Sequence, residues 1–291
     1  MPTPEILYHY CTTSSFHSII ESRSIRLSSM SLSNDFLEGK LVSRTLGQLA
    51  ISGGFADEAR AKMAKDISTF ERAIDGLALC LSEQGDLLSQ WRGYAGDATG
   101  LSIGFSKAWL DRLVSLHRDD VVKDEPDENG FFVSLHRVKY SPKEHEEEIL
   151  PIFEQARYFA LRDQSPDLPD QQPELPEEIR KRGVGQPENF AVALLFLFYK
   201  MFILKSSEFQ AELEWRLLSY SVREVSDKAK FYPSGAKLVP YRSVNMGRLA
   251  GAIRSVILGP KHETPLHLVK LFLAQSGFDD VEVKKSVISY R

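Results

Sequence analysis

The chain has 291 residues, a formal net charge of −4 and two cysteines, a composition that suits one large domain or two small ones. The slightly negative charge disfavours a nucleic-acid-binding surface that covers the whole molecule. Cys11 and Cys80 cannot form a disulfide framework or a zinc quartet, and the N-terminus lacks a secretory signal, so we expect a cytoplasmic protein without a membrane span.

The N-terminal part of the chain predicts two strands around one helix. Residues 6–11 carry aromatic side chains and alternate weakly, which indicates a strand. Thr13 or Ser14 can cap the helix that follows. A second strand is predicted at 24–29, and a polar loop at 32–39 leads into another helix.

The middle and C-terminal parts predict further strands and helices, separated by one long polar segment. The middle part predicts an amphipathic helix at 56–75, a buried strand at 76–82, a short helix at 86–91 capped by Asp86, a strand at 101–105, a helix at 107–117 and strand character at 131–140. A surface loop or insertion is expected at 163–188, followed by an apolar helix at 189–205. The C-terminal part predicts a strand at 255–260, a helix capped by Thr264 with Pro265 in its first turn, and a final strand at 281–290. Strands therefore occur throughout the chain without regular βαβ spacing. This predicts an α+β fold, taken as a single domain over residues 1–291.

Several common catalytic signatures are missing from the sequence. The seven histidines show no metal-ligand spacing, and no P-loop, GxGxxG or GxSxG motif occurs, so no metal is predicted. Cys11 lies near His9, but a small core residue is the simpler interpretation of this cysteine.

The stretch "SEFQAELEWRLLSY" (207–220) contains two closely spaced carboxylates. As a strand, it projects Glu212, Glu214 and Arg216 from one face, and the carboxylates can then polarise a sugar hydroxyl and bind an acceptor. As a helix, it pairs Glu212 with Arg216 at i, i+4 as a structural contact. The absence of β-branched residues favours the helix locally, so both interpretations stay open.

Two further stretches have a binding and a structural interpretation. Ser82 ends a buried strand, and Trp91 and Tyr94 follow it, so the three can form a slot for a flat ring or can serve as core anchors and a turn cap. His9 lies between Tyr8 and Tyr10 on the first strand. On a strand the tyrosines face away from His9, which then either packs in the core or faces a ligand.

Six segments in chain order resemble a bacterial domain-of-unknown-function family, number two-nine-seven-one. They are "LYHYCTTSSFHSII", "LSNDFLEG", "LCLSEQGDLLSQWRGYAGDATGLSIGF", "ELEWRLL", "VILGPK" and "SVISYR". The resemblance covers nearly the whole chain apart from the loop at 163–188. The chain departs from the family at Phe36, where proline often follows the pair Asn34 and Asp35.

The opening "LYHY…SSFHSIIESRSIRLS" is also similar to that of ADP-ribosyltransferase folds, in particular DarT-type toxins. That resemblance implies split mixed or antiparallel sheets and a site for NAD as substrate. His9 corresponds to the ribose-contacting histidine of the first motif, and Ser82 with Tyr94 to the nicotinamide-holding second motif. Glu212-Leu213-Glu214 has the form of the third, on a strand, with Glu214 as the catalytic carboxylate and Glu212 orienting the acceptor.

Tyr10 and Trp91 complete the predicted NAD-binding set. The acceptor is protein, nucleic acid or water, and water would make the protein an NAD hydrolase, acting as a toxin or defence effector. A non-enzymatic interaction module on the same fold is the main alternative. RNA 2′-phosphate transfer is a further alternative, disfavoured by the scarcity of clustered basic residues. The sequence does not indicate the acceptor or the oligomeric state.

Overall fold

The structure is a computed structural model that describes residues 4–32, 40–122, 131–162, 171–180, 185–222, 230–248 and 250–290. Within these ranges the chain has an α+β fold, in which helices flank a mixed, mostly antiparallel sheet. The α+β prediction is therefore confirmed. Most of the loop predicted at 32–39, with Asn34, Asp35 and Phe36, and parts of the loop predicted at 163–188 lie outside the described residues.

Within the described ranges the sheet contains ten strands. In chain order they are β1 (Ile6–Cys11), β2 (Ser24–Ser29), β3 (Ile74–Ser82), β4 (Leu101–Ser106), β5 (Ser134–Arg137), β6 (Glu214–Val222), β7 (Lys230–Ser234), β8 (Lys237–Asn245), β9 (Ile253–Leu258) and β10 (Glu282–Lys285). The spatial order is β10-β9-β4-β1-β3-β2-β8-β7, and β6 pairs with both β3 and β5. Only β9 and β10 pair in parallel among these strands.

Helices cover the sheet and connect its strands. In chain order they are α1 (Thr13–Ser22), α2 (Leu41–Ser52), α3 (Asp57–Ala73), α4 (Leu88–Tyr94), α5 (Lys107–Val122), α6 (Pro142–Arg162), α7 (Glu177–Arg180), α8 (Phe190–Leu195), α9 (Phe198–Met201) and α10 (Leu266–Gln275). In the part of the chain that the structure describes, 3₁₀ turns occupy Met30–Leu32, Ser207–Glu212 and Met246–Arg248. Within the described residues, no helix is long and apolar enough to cross a membrane.

The sheet divides at β3. One edge of β3 pairs with β6 along its whole length. On the other edge, β1 contacts β3 only at Ser82, while β2 contacts it at Ala78 and Leu77. Within the described part of the chain, residues 79–81 therefore pair only with β6, and β1 and β2 diverge from this edge of β3.

Alternating residues of β3 pack into two large hydrophobic cores, one on each face of the sheet. Leu77, Leu79 and Leu81 of β3 pack with α1, α5 and α10. Ala78 faces the opposite layer, built by α2, α3, α6, α8 and α9. This alternation is the two-residue period of a strand buried on both faces. A third, small cluster gathers Tyr8 and Tyr10 with α4.

Two predicted elements are shorter or interrupted. The helix predicted at 189–205 is divided, because the amides of Phe196 and Leu197 bond the carbonyls three residues back, as in a 3₁₀ turn. The strand predicted at 281–290 ends at Lys285. The amide of Ser286 still donates to the carbonyl of Leu258 on β9, but the amide of Val287 donates to the side chain of Asp86.

Helix starts also differ from the sequence-based predictions. The cap of α1 is Thr12, one residue before the predicted Thr13, and its hydroxyl accepts from the amide of Ser15. Neither Asp86 before α4 nor Thr264 before α10 is the cap: Leu87 and Pro265 occupy those positions without a side-chain bond. Helix α6 has no counterpart among the predicted elements.

Candidate functional site

A cleft of about 730 Å³ opens where β1 and β2 diverge from β3. Its walls are β1 and the start of α1 on one side and β2 with the β7–β8 hairpin on the other. The exposed edge of β3 and the segment from Lys205 to Arg216 complete the lining. Of the site residues predicted from the sequence, five line this cleft: His9, Tyr10, Tyr94, Glu212 and Glu214.

His9 is partly buried, and its Nδ1 atom lies 2.9 Å from the carbonyl oxygen of Cys80 on β3. A carbonyl only accepts, so Nδ1 carries the proton and donates it to this bond. Burial lowers the pKa of His9, while the bond to Cys80 opposes that effect. The imidazole is therefore neutral at physiological pH, and its Nε2 atom has a free lone pair for a donor in the cleft.

The two tyrosines that flank His9 pack away from it. Tyr8 and Tyr10 belong to the small apolar cluster with Trp91, whose ring centroid lies 4.8 Å from that of Tyr10. The Tyr10 hydroxyl donates to the carbonyl of Gln84 and accepts from the amide of Leu87. Tyr10 thus anchors the β3–α4 connection, and its hydroxyl is already occupied.

The acidic stretch at 207–220 is only partly a strand. Ser207–Glu212 forms a 3₁₀ turn, Leu213 adopts a left-handed conformation with φ of 46°, and β6 begins at Glu214. The expectation of one continuous strand, and that of one helix, is therefore wrong for this stretch. The amide of Glu83 donates to the carbonyl of Leu213 at 3.1 Å, and this bond holds the left-handed residue next to the end of β3.

Lys205 joins the two carboxylates of this stretch. Its Nζ atom lies 2.6 Å from Oε2 of Glu212 and 2.9 Å from Oε2 of Glu214. Arg216 binds the second carboxylate through Nε, 2.7 Å from Oε1 of Glu214, and donates from Nη1 to the carbonyl of Phe202. Two carboxylates and two cations therefore form one neutral cluster.

Glu214 and Lys205 are buried, and each keeps its charge because the other is present. Burial alone raises the pKa of Glu214, but Arg216 and Lys205 outweigh it and lower the pKa to about 2. Burial alone lowers the pKa of Lys205, but Glu214 and Glu212 raise it well above its usual value. Both groups are thus ionised at neutral pH, although burial of an isolated charge is unfavourable.

Tyr94 and Phe209 present aromatic rings beside the acidic cluster. Tyr94 ends α4, is 42% exposed, and donates from its hydroxyl to Oε1 of Glu212 at 3.2 Å. The ring of Phe209 lies 4.6 Å from Nζ of Lys205. The cleft therefore offers an accessible aromatic surface next to two carboxylates, which suits a flat ring bearing a polar substituent.

Ser82 and Trp91 lie outside the cleft lining. The Ser82 hydroxyl donates to the backbone carbonyl of Glu212 at 2.7 Å and accepts from the amide of Gln84. Trp91 is fully buried and donates from Nε1 to Asp86. Both residues support the walls of the site: Ser82 fixes the acidic turn, and Trp91 fixes α4.

Cys11 shows no activated thiol at the cleft. Cys11 is buried, which raises its pKa to about 12 and keeps the thiol protonated. Within the described ranges, no group of three or more His, Cys, Asp or Glu residues has a geometry for a metal ion.

Sequence reasoning missed Lys205 and Tyr140 as parts of the site. Lys205 follows an isolated bridge between Leu204 and Lys139, and its amide donates to the carbonyl of Lys139. The amide of Glu214 donates to the hydroxyl of Tyr140 at 2.8 Å. Neither residue belongs to a motif, and both approach the acidic pair only through the packing of residues 138–140 against it.

Comparison with known families gives one match. Residues 90–217 match the model of DUF2971, described as a protein of unknown function. The match covers most of α4, the acidic turn and the first residues of β6. No curated protein and no solved structure matches the chain.

Proposed function

We propose that this protein, part of which matches the DUF2971 model, binds NAD in the cleft and cleaves the bond between nicotinamide and ribose. The observation that carries the proposal is that His9, Tyr94, Glu212 and Glu214 line one cleft. These residues come from three distant segments that resemble, in order, the three motifs of ADP-ribosyltransferases. We extend the proposal to the fold: the divergence of β1 and β2 from β3 supports a split-sheet architecture of that type.

His9 positions the ribose in this scheme. Its neutral ring donates from Nδ1 to Cys80, so Nε2 accepts a hydrogen bond from a ribose hydroxyl. Tyr94 stacks on the nicotinamide ring with its exposed face while its hydroxyl stays on Glu212. These two contacts hold the ribose carbon that reacts beside the acidic cluster.

Glu214 stabilises the charge that develops in the reaction. The C–N bond breaks, nicotinamide leaves with the electron pair, and the ribose becomes an oxocarbenium-like cation. Glu214 accepts from the ribose 2′-hydroxyl and lies beside this cation as a carboxylate that Lys205 and Arg216 keep ionised. Because the cluster is neutral overall, stabilisation depends on how closely the carboxylate oxygen approaches the ribose.

Glu212 orients the acceptor, which adds to the ribose carbon and loses a proton. With water as acceptor the product is free ADP-ribose, and with a macromolecule it is an ADP-ribosylated protein or nucleic acid. Consumption of NAD depletes a cytoplasmic metabolite, so the proposed chemistry fits a cytoplasmic toxin or defence effector.

The test is nicotinamide release from NAD by the purified protein, measured by chromatography with and without added protein or nucleic acid. Glu214→Gln should reduce release by about two orders of magnitude or more. Glu208→Gln is the matched control, because Glu208 lies exposed in the same 3₁₀ turn and does not line the cleft. The control should release nicotinamide like the wild type.

The same experiment separates the alternatives. Equal release from the wild type and Glu214→Gln would remove Glu214 from the catalytic role. If the wild type neither binds NAD in calorimetry nor releases nicotinamide, the proposed reaction is wrong and the interaction module becomes the better hypothesis. The identity of the product, free or attached ADP-ribose, distinguishes a hydrolase from a transferase.

A further inference from the structure

Arg26 is an arginine of the cleft wall whose guanidinium contacts two aromatic rings. It lies on β2, opposite Ser243 of β8. Its Cζ atom is 5.2 Å from the ring centroid of Tyr232 and 5.0 Å from that of Tyr241. Contact with both tyrosine rings restricts the position of the guanidinium, so the group is ordered before any ligand arrives.

The guanidinium of Arg26 has more N–H donors than its one described hydrogen bond uses. One terminal nitrogen donates to the Ser18 hydroxyl at 2.9 Å. A guanidinium carries five N–H donors in a planar fork. Among the residues that the structure describes, no aspartate or glutamate forms an ion pair with Arg26. By contrast, Arg216 in the same cleft is neutralised by Glu214.

The neighbours of Arg26 in the cleft are also hydrogen-bonding groups. The hydroxyls of Ser15, Ser18 and Ser28 belong to residues that line the cleft with it. The acidic cluster on the other part of the lining is neutral, so Arg26 gives this region a net positive charge. A partly buried cation with a free planar fork and adjacent hydroxyls favours an anion with several oxygen acceptors, such as a phosphate.

We infer that Arg26 and the hydroxyls beside it bind the diphosphate of a dinucleotide whose ribose lies at His9. This inference rests on the proposed function for the identity of the ligand and adds the group that recognises its charge. His9 projects from the β1 wall and Arg26 belongs to the β2 wall, so one ligand between them contacts both. A compound that lacks phosphate would lose only the Arg26 contact.

The experiment is calorimetric titration with three probes: ADP-ribose, inorganic pyrophosphate and nicotinamide riboside, which has no phosphate. Arg26→Gln should weaken ADP-ribose binding roughly tenfold to hundredfold, the range expected for charge-assisted bonds. Arg26→Lys keeps the positive charge but lacks the planar array of donors, so its affinity for ADP-ribose should lie between those of the wild type and Arg26→Gln. Nicotinamide riboside should bind wild type and Arg26→Gln equally.

The control is Arg254→Gln, since Arg254 is an exposed strand arginine on β9 that does not line the cleft. It should bind all three probes like the wild type. Equal ADP-ribose affinity in wild type and Arg26→Gln would overturn the inference. So would parallel loss of ADP-ribose and nicotinamide riboside binding, which would mean that Arg26 only shapes the cleft.

Failure of the reaction can be told apart from failure of this inference. If the wild type releases no nicotinamide but binds ADP-ribose in an Arg26-dependent way, the proposed cleavage is wrong and the diphosphate site stands. If the wild type binds neither ADP-ribose nor pyrophosphate, the diphosphate site is wrong whatever the outcome of the nicotinamide assay.

Discussion

The Nδ1 atom of His9 and the carbonyl oxygen of Cys80 are joined at 2.9 Å, across the gap where β1 leaves β3. This bond fixes both the orientation and the tautomer of the imidazole, because the carbonyl can only accept. We expect nitrogen NMR of the folded protein to show a neutral His9 protonated at Nδ1 at pH 7.5. A protonated or Nε2–H ring at that pH would contradict the geometry.

The lowered pKa of His9 also predicts a dependence of stability on pH. Below the ordinary value of 6.5, the unfolded chain takes up a proton that folded His9 resists. The unfolded state then binds more protons, so the free energy of unfolding decreases as the pH falls from 6.5 through the folded pKa. In His9→Gln this contribution should disappear, and denaturation curves at a series of pH values measure the difference.

Lys205 should be more important for stability than a surface lysine, because it neutralises two carboxylates that are largely buried. Lys205→Met leaves Glu214 with Arg216 alone and Glu212 without a cation, and should cost about 3–5 kcal/mol in unfolding free energy. Lys270→Met, at an exposed position of α10, should stay within about 0.5 kcal/mol of the wild type.

The double variant Lys205→Met/Glu212→Gln tests the origin of that cost. Neutralising Glu212, the carboxylate left without a cation, should recover part of the lost stability, with a coupling of roughly 0.5–3 kcal/mol. Chemical denaturation of the single and double variants measures both the loss of unfolding free energy and the coupling energy. If Lys205→Met is as stable as Lys270→Met, the cation does not hold the cluster together.

The strand that carries His9 could be predicted from sequence, whereas the cluster around Glu214 could not. A two-residue period puts Tyr8 and Tyr10 on the face opposite His9, and the structure packs both tyrosines with Trp91. The α+β class followed in the same way from strands spaced irregularly along the chain. These features depend on local pattern, which a single sequence contains.

The acidic cluster depends on packing between distant segments. The left-handed residue that separates Glu212 from β6 is Leu213, a residue type that gives no local signal for that conformation. Lys205 reaches the carboxylates from a segment that is held by pairing with Lys139. Tertiary contacts thus set the geometry of the acidic cluster. Neither the helix propensity nor the strand propensity of residues 207–220 predicts that geometry.

Glu214 should make the protein sensitive to acid in a defined window. Its pKa is about 2 in the folded protein, against an ordinary value of 4.5. A lowered carboxyl pKa stabilises the fold above pH 4.5, and this stabilisation is lost as the pH falls from 4.5 towards 2. A difference of this size corresponds to a contribution on the order of 3 kcal/mol.

The measurement is the loss of unfolding free energy between pH 5 and pH 2. The wild type should lose more over this interval than Glu214→Gln, which has no carboxyl to protonate at that position. Glu208→Gln removes an exposed carboxyl of the same turn and should follow the wild type. An identical acid profile for wild type and Glu214→Gln would show that Glu214 is not stabilised as a carboxylate.

Asp86 should connect the C-terminal tail to the wall of the site. It accepts from Nε1 of Trp91 at 2.6 Å, from the hydroxyl of Ser286 at 2.6 Å and from the amide of Val287 at 2.9 Å. Asp86→Ala leaves the buried indole N–H without this acceptor, which should cost about 1–3 kcal/mol. It also removes the bonds that link Ser286 and Val287, through Asp86, to α4, the helix that carries Tyr94.

Hydrogen exchange followed by mass spectrometry tests this connection. In Asp86→Ala the amide of Val287 and those of α4 should exchange faster than in the wild type, because both lose their shared anchor. Asp280→Ala, an exposed acid just before β10, should leave both regions unchanged. If only the tail exchanges faster, Trp91 holds α4 through its apolar packing with Tyr10 rather than through Asp86. Tyr94 would then keep its place beside Glu212 without the tail.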